Sequence, residues 1–182
     1  RKAGSGSDGE RTADGRPGRV VGGVEGDDEE HEGRIGQRQA RGGGAEDEGD
    51  GIKALWDDIY ETIVASDNKE ILIANNTEPL ALGKNIVDYL EMHLKRLKAA
   101  KIHERILCRE GDTNFLGPIT SYRWVPKENF CDSPTFIYAG KVAMLVWGPP
   151  AKVTIINDPQ YAESIRNLFK FSWDRARIPE IK

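Results

Sequence analysis

The chain has 182 residues, 38% of them hydrophobic, and a formal net charge of −4, so its length fits one domain or two small ones. The acidity lies in the first 50 residues, where 13 Asp and Glu stand against 8 Lys and Arg; the other 132 residues have 17 and 18. This balance excludes a strongly basic module that binds nucleic acid by neutralising phosphates alone. No apolar run approaches the roughly 18 residues that cross a bilayer, and no export signal is present, which predicts a cytoplasmic protein without a membrane segment.

Residues 1–51 are predicted to be a disordered, glycine-rich acidic tail. They hold 15 of the 20 glycines and lack Leu, Phe, Tyr, Trp and Met. Their few aliphatic side chains bury too little surface to offset about 1 to 2 kcal/mol of backbone entropy per ordered residue. The folded domain is therefore expected to span residues 52–182.

Apolar residues at three- and four-residue steps predict a helix from Ile52 to about residue 66. The continuous apolar run 70–74 predicts a strand buried on both faces, which the sequence Asn75-Asn76-Thr77 ends. Thr77 as a cap and Pro79 near the start predict a second helix that continues to about residue 100.

Shorter β-rich runs follow, and they predict strands at 104–109, 121–125, 135–138, 142–147 and 152–156. Gly140 is expected to adopt positive φ in the turn of a hairpin. Asp158-Pro159 is typical of a helix start, with an acceptor side chain at the cap and a proline in the first turn. The apolar face of this last helix is predicted to comprise Tyr161, Ile165, Leu168, Phe169, Trp173 and Ala176. The resulting fold class is α/β, with a mixed, mostly parallel sheet and flanking helices.

Candidate ligand-binding residues follow from the rule that ligands of open α/β sheets bind beyond the carboxyl ends of the strands. The rule selects Asn75, Asn76 and Thr77 after one strand and Arg109 after the next, with Arg123 joining them if its strand is adjacent. Amide and guanidinium groups would bind hydroxyls or a phosphate. Alternatively, these residues have structural roles: residues 75–77 form a turn and a helix cap, and Arg123 forms an ion pair with a carboxylate.

Two tryptophans, Trp56 and Trp147, are candidate residues of a protein interface, because Trp is enriched at such surfaces. The two cysteines form no Cys-x-x-Cys pair, and no histidine stands at a ligand spacing from them, so neither a metal nor another cofactor is expected.

Five segments in this order resemble the C-terminal regulatory domain of TrmB-type transcriptional regulators: 122–126 (YRWVP), 136–143 (FIYAGKVA), 153–158 (VTIIND), 162–166 (AESIR) and 169–173 (FKFSW). The resemblance implies a phospholipase D-like fold without catalytic chemistry. It also implies a homodimer and a small-molecule effector, a sugar or a phosphate-bearing metabolite. DNA binding is expected only through a winged helix, and residues 1–51 do not resemble one.

The phospholipase D-like enzymes share a His-x-Lys-x-x-x-x-Asp motif, in which the imidazole attacks phosphorus. His93 and Lys95 begin such a motif, but Ala100 stands where the aspartate is needed. We therefore expect no enzyme activity. A degenerate phospholipase D-like hydrolase and a stand-alone protein-interaction module remain the alternatives.

Overall fold

The structure, a computed structural model, describes residues 49–76, 83–117, 121–148 and 150–180. Residues 1–48 of the predicted tail and Thr77 lie outside these ranges, whereas the first helix begins at Asp50, two residues before the predicted start of the folded domain. The helices are α1 (Asp50–Val64), α2 (Lys84–Ala99) and α3 (Pro159–Arg175), with a short 3-10 helix at Lys127–Asn129. The strands are β1 (Glu70–Asn76), β2 (His103–Arg109), β3 (Tyr122–Val125), β4 (Thr135–Tyr138), β5 (Lys141–Val146) and β6 (Lys152–Asn157).

The six strands form a single sheet in the order β3-β2-β1-β4-β5-β6. The mixed sheet with flanking helices is confirmed, but the prediction that it is mostly parallel is wrong. Only the β1–β2 and β2–β3 pairs are parallel. The β1–β4, β4–β5 and β5–β6 pairs are antiparallel. Short connections join β4 to β5 and β5 to β6, as antiparallel neighbours allow, whereas β1 and β4 are distant in sequence.

Each face of the sheet buries its own apolar cluster. Alternate residues of the central strands point to opposite faces, so Ile71 and Ile73 pack towards α1 and α2, whereas Leu72 packs towards α3. Leu107 and Ile137 join Leu72 in the smaller cluster with Phe169 and Trp173 of α3. The sheet is therefore the middle layer of a three-layer α/β arrangement.

Two helix and turn predictions need correction. The second helix begins at Lys84 after Gly83, not near Pro79. In the hairpin, positive φ occurs at Ala139 (46°) and not at Gly140. A Cβ at Gly140 would lie 3.2 Å from Cγ of Pro159, which is tighter than most contacts, so a larger residue there would require a small shift of Pro159.

The buried face of α3 differs from the predicted one. Leu168 is 63% exposed and Tyr161 is 39% exposed, whereas Arg166 is buried. Nη2 of Arg166 donates to the backbone carbonyl of Ala139 at 2.9 Å, which satisfies the charged side chain beneath the hairpin. The buried face of α3 therefore includes a cation, Arg166, and lies part of a turn away from the predicted face. The spacing of apolar residues alone does not indicate this.

The predicted start of this helix is confirmed, since the Asp158 side chain accepts a hydrogen bond of 2.7 Å from the backbone N–H of Tyr161. Asp158→Ala removes this cap and is expected to lower the free energy of unfolding by about 1 kcal/mol. Urea denaturation measures the change. Asp174→Ala, an exposed acidic residue near the other end of α3, is the control and should cause no loss. Equal stability of the wild type and Asp158→Ala would contradict the role of the cap.

Candidate ligand-binding site

The carboxyl ends of β1 and β2 carry three of the predicted ligand-binding residues. Asn76 aligns with Cys108, one residue before Arg109, and the register of β1 is irregular between Ile73 and Asn76. Asn75 adopts positive φ (57°) at this irregularity, a conformation that asparagine tolerates. Nε of Arg109 lies 3.6 Å from a carboxylate oxygen of Asp112. Asn75, Asn76 and Arg109 therefore share one edge of the sheet, and their predicted role there stays a prediction.

Arg123 lies apart from this group, on the face of the sheet that α3 covers. Its Nη1 donates to the backbone carbonyl of Trp173 at 2.6 Å, and its guanidinium lies 4.7 Å from the centre of the Trp173 ring. The side chain therefore binds a carbonyl in the last turn of α3, which favours the structural interpretation of this residue.

The two candidate interface tryptophans both face the interior. Trp56 is 8% exposed and stacks on Tyr89 and His93, with ring centres 6.2 and 5.8 Å apart. Contact between Trp56 and a second protein would require α1 and α2 to separate. Trp147 follows β5, is partly buried, and packs against the same cluster.

A cavity of about 100 Å³ lies between α1, α2 and the sheet. Its wall is mostly apolar and includes side chains from α1, α2 and the sheet, such as Ile59, Leu94 and Ile106. Four aromatic rings line it as well: Trp56, Tyr122, Phe136 and Trp147. His93 and Glu104 are the ionisable side chains in this wall.

His93 lies on the buried face of α2 and is 3% exposed. Within the described ranges its Nδ1 is the one fully buried side-chain nitrogen or oxygen atom without a hydrogen-bond partner. Burial lowers the pKa of His93 to about 4, and repulsion from Arg96 acts in the same direction. The imidazole is therefore neutral at physiological pH.

Glu104 enters the same cavity from β2. It shares a face of the strand with Ile106 and Cys108, which belong to the larger core cluster. Glu104 is only partly buried, and the burial of its inner part raises its pKa to about 7. The carboxyl group is therefore divided between its neutral and ionised forms near neutral pH.

An outer cleft of about 780 Å³ adjoins the cavity. The two share five residues: Leu94, Glu104, Ile106, Leu116 and Tyr122. Lys95, Lys98 and Lys101 border the cleft on its outer side. Glu104 thus stands where the cavity meets the cleft.

His93 and Lys95 point in different directions. Lys95 is 79% exposed and lies 3.7 Å from the Glu91 carboxylate, whereas His93 is buried against Trp56. Among the described residues there is no group of three or more His, Cys, Asp or Glu side chains that would hold a metal ion. No helix in the described part of the chain has both the length and the apolar character needed to cross a membrane.

No family model matches the chain, and no curated protein matches it. Several solved structures are similar to it, and two of them are described here. One is TrmBL2, an archaeal chromatin protein described with a novel mode of DNA binding: 18% identity, TM-score 0.44, covering 71% of this chain and 52% of TrmBL2. The other is Nuc from Salmonella typhimurium, a phospholipase D family member: 16% identity, TM-score 0.41, covering 68% of this chain and 89% of Nuc. The chain thus spans about half the length of TrmBL2.

The sequence prediction missed both ionisable residues of the cavity, although each carries a signal. His93 falls within the helical stripe formed by Ile86, Leu90 and Leu97, so the periodicity places its ring on the buried face. Glu104 alternates with Ile106 in a strand whose inner face is apolar. A polar residue at a position where the pattern places apolar side chains is the feature that indicates such a site.

Proposed function

We propose that the described domain is the effector-sensing and dimerisation domain of a TrmB-like transcriptional regulator, with its effector bound in the cavity between α1, α2 and the sheet. The observation that carries the proposal is the cavity itself, whose largely apolar wall includes only a few polar side chains, among them His93 and Glu104. The five ordered segments that resemble the TrmB-type regulatory domain support the regulator assignment.

The composition of the wall supports this use of the cavity. Apolar walls with a small number of inward polar groups are the usual composition of small-molecule sites. A molecule bound in the cavity would stabilise the folded domain.

Xenon tests whether the cavity admits a guest, since engineered apolar cavities of about 150 Å³ bind xenon or benzene. In NMR spectra of the full chain under xenon pressure, we expect shifts of methyl groups that line the cavity, including those of Leu94 and Ile106. Methyl groups on the opposite face, such as those of Leu72, serve as the control. Unchanged cavity methyl groups would contradict the proposed site.

The outward face of α3 supports the proposed homodimer. Leu168 is 63% exposed and Phe171 is 56% exposed, and Cζ of Arg175 lies 3.4 Å from the centre of the Phe171 ring. An apolar surface bordered by charge is typical of protein interfaces. Neither residue is needed for the core on the inner side of the helix.

Leu168→Lys is expected to convert the dimer to a monomer by placing a charge within the apolar surface. Sedimentation velocity of the full chain at tens of micromolar measures the mass. Asn167→Lys, at the adjacent exposed position, adds the same charge and should leave the dimer intact. A wild-type chain that sediments as a monomer would count against dimerisation.

A further inference from the structure

We infer that the cavity and the outer cleft together bind an amphipathic anion: a carboxylate on a linear alkyl chain, with the chain in the cavity and the carboxylate at the lysines of the cleft. This inference rests on the proposed function, because it names the ligand class of the effector cavity. The observation that carries it is the change of lining between two adjoining spaces, from mostly apolar in the cavity to cationic at the border of the cleft.

The cavity and the cleft are joined by apolar surface. The side chains that line both spaces are apolar or aromatic apart from Glu104, and they are Leu94, Ile106, Leu116 and Tyr122. Leu97 and Ile102 extend this surface within the cleft. An alkyl chain that crosses from the cavity into the cleft therefore stays in contact with apolar side chains, which favours its binding in proportion to the area it buries.

The cations lie on the cleft side of this surface. Lys95, Lys98 and Lys101 line the cleft, and none of them lines the cavity. Lys95 is paired, since its Nζ lies 3.7 Å from the Glu91 carboxylate. Among the described residues, the ammonium groups of Lys98 and Lys101 have no ion-pair or hydrogen-bond partner. Each has three N–H donors, so the two can bind the oxygens of one carboxylate.

The end of α2 brings these lysines next to the apolar surface. The N–H of Ile102 donates to the carbonyl of Leu97 at 2.9 Å, and that of Lys101 to the carbonyl of Lys98 at 3.1 Å, which are the two bonds of a Schellman motif. Lys101 has the positive φ (55°) of this motif. The turn buries Leu97 and Ile102 and leaves both lysines exposed, so apolar and cationic groups lie side by side.

The overall charge of the cleft also favours an anion. Its described lining contains three lysines and two glutamates, an excess of one positive charge when His103 is neutral. Glu91 is the partner of Lys95, and Glu104 stands at the junction with the cavity, where the alkyl chain and not the carboxylate would pass. A cationic ligand of the same shape would place its charge beside unpaired lysines, which is unfavourable.

The volumes set the length of the chain. Benzene, with six heavy atoms, fits an engineered cavity of about 150 Å³, so a cavity of about 100 Å³ accommodates about four chain carbons. The cleft, of about 780 Å³, has room for the rest of the chain and the carboxylate. Octanoate fits this division, because its chain continues past the cavity by a few carbons before the carboxylate.

The test compares octanoate with 1-octanol, n-octylammonium and inorganic phosphate by NMR titration of the full chain at pH 7, where the carboxylate is ionised. We expect octanoate to bind at least tenfold more tightly than each of the others and to shift the methyl groups of Leu94, Ile106 and Leu116. Hexanoate, two methylene groups shorter, should bind about tenfold more weakly than octanoate.

A pair of double variants separates the role of the cleft lysines from that of net charge. Lys98→Gln with Lys101→Gln should weaken octanoate binding about tenfold and leave the affinity for octanol unchanged. Lys152→Gln with Lys170→Gln removes the same charge at two exposed positions outside the cleft and should bind like the wild type. Cations near a helix C-terminus also stabilise the helix, so the variants are compared by ligand affinity and not by stability.

Octanol, octylammonium or phosphate binding as tightly as octanoate, or equal losses in the two double variants, would overturn the inference and leave the proposed cavity site intact. Xenon entering the cavity without any binding of octanoate would have the same meaning. If neither xenon nor any of these probes shifts the methyl groups of the cavity wall, both the inference and the proposed effector site fail.

Discussion

At pH 8, the Glu104→Gln variant is expected to have a free energy of unfolding about 3 kcal/mol higher than that of the wild type. The pKa of Glu104 is 4.5 when unperturbed and about 7 in the folded chain, and the difference arises from burial. Glutamine has nearly the same shape but no charge, so it avoids the desolvation of a carboxylate in the cavity wall.

The dependence of the free energy of unfolding on pH shows the direction in which Glu104→Gln changes it. Because the folded chain retains the proton of Glu104 to higher pH than the unfolded chain does, the free energy of unfolding falls as the pH rises from about 4.5 to about 7. The contribution of the protonated group is fully present below pH 4.5 and is lost above pH 7. Urea denaturation of wild type and variant at pH 4.5 and pH 8 should therefore show no difference at the lower pH and the full difference at the higher one.

His93→Phe provides an opposite control from the same cavity. The pKa of His93 is lowered from 6.5 to about 4, so its contribution to stability is present above pH 6.5 and is lost as the pH falls towards 4. The difference between His93→Phe and the wild type should therefore grow towards low pH, whereas that of Glu104→Gln grows towards high pH. A Glu104→Gln difference that is constant with pH would show that Glu104 has an ordinary pKa and is well solvated.

Asp58→Ala is expected to lower the free energy of unfolding by about 3 kcal/mol. The Asp58 carboxylate accepts 2.7 Å hydrogen bonds from the Tyr138 hydroxyl and from Nζ of Lys141, and Nζ also lies 3.0 Å from Oγ1 of Thr62. Tyr138 is fully buried, and hydrogen bonding to Asp58 together with burial raises its pKa. Loss of the carboxylate leaves a buried hydroxyl and a largely buried ammonium group without their partner, and it releases α1 from the β4–β5 hairpin.

Asp57→Ala is the matched control, since the adjacent carboxylate joins α1 to α2 at a more exposed location. It accepts hydrogen bonds from the Tyr89 hydroxyl at 2.6 Å and from Arg96 at 2.7 Å. We expect a loss of about 1 kcal/mol there. Chemical denaturation at pH 7 compares the two variants, and a smaller loss for Asp58→Ala than for Asp57→Ala would contradict the assigned roles.

Local sequence rules predicted the elements better than their arrangement. The run from Ile71 to Ala74, the Asp158-Pro159 helix start and the β4–β5 hairpin are confirmed because short-range chemistry determines each of them. The predicted share of parallel strand pairs was wrong because β1 pairs with β4. These two strands are distant in sequence, and no local signal indicates that they are neighbours. The start of α2 at Lys84 was not predicted, because its cap residue, Gly83, makes no side-chain hydrogen bond and so carries no cap signal; Thr77 lies outside the described residues.

For the candidate site too, local sequence rules predicted single residues better than their arrangement. Asn75, Asn76 and Arg109 were placed correctly at one edge of the sheet by a general rule for strand ends. The cavity depends on two residues from different elements, His93 of α2 and Glu104 of β2, whose approach requires the tertiary packing of helix on sheet. His93 and Glu104 each interrupt the apolar pattern of their own element, but no sequence rule indicates that both line one cavity.

A crystal structure of the full chain under xenon pressure tests the central claim most directly, because xenon enters apolar cavities of similar size. We predict xenon in the cavity between α1, α2 and the sheet, in contact with Leu94 and Ile106. A cavity that stays empty while xenon binds elsewhere on the chain would contradict the account.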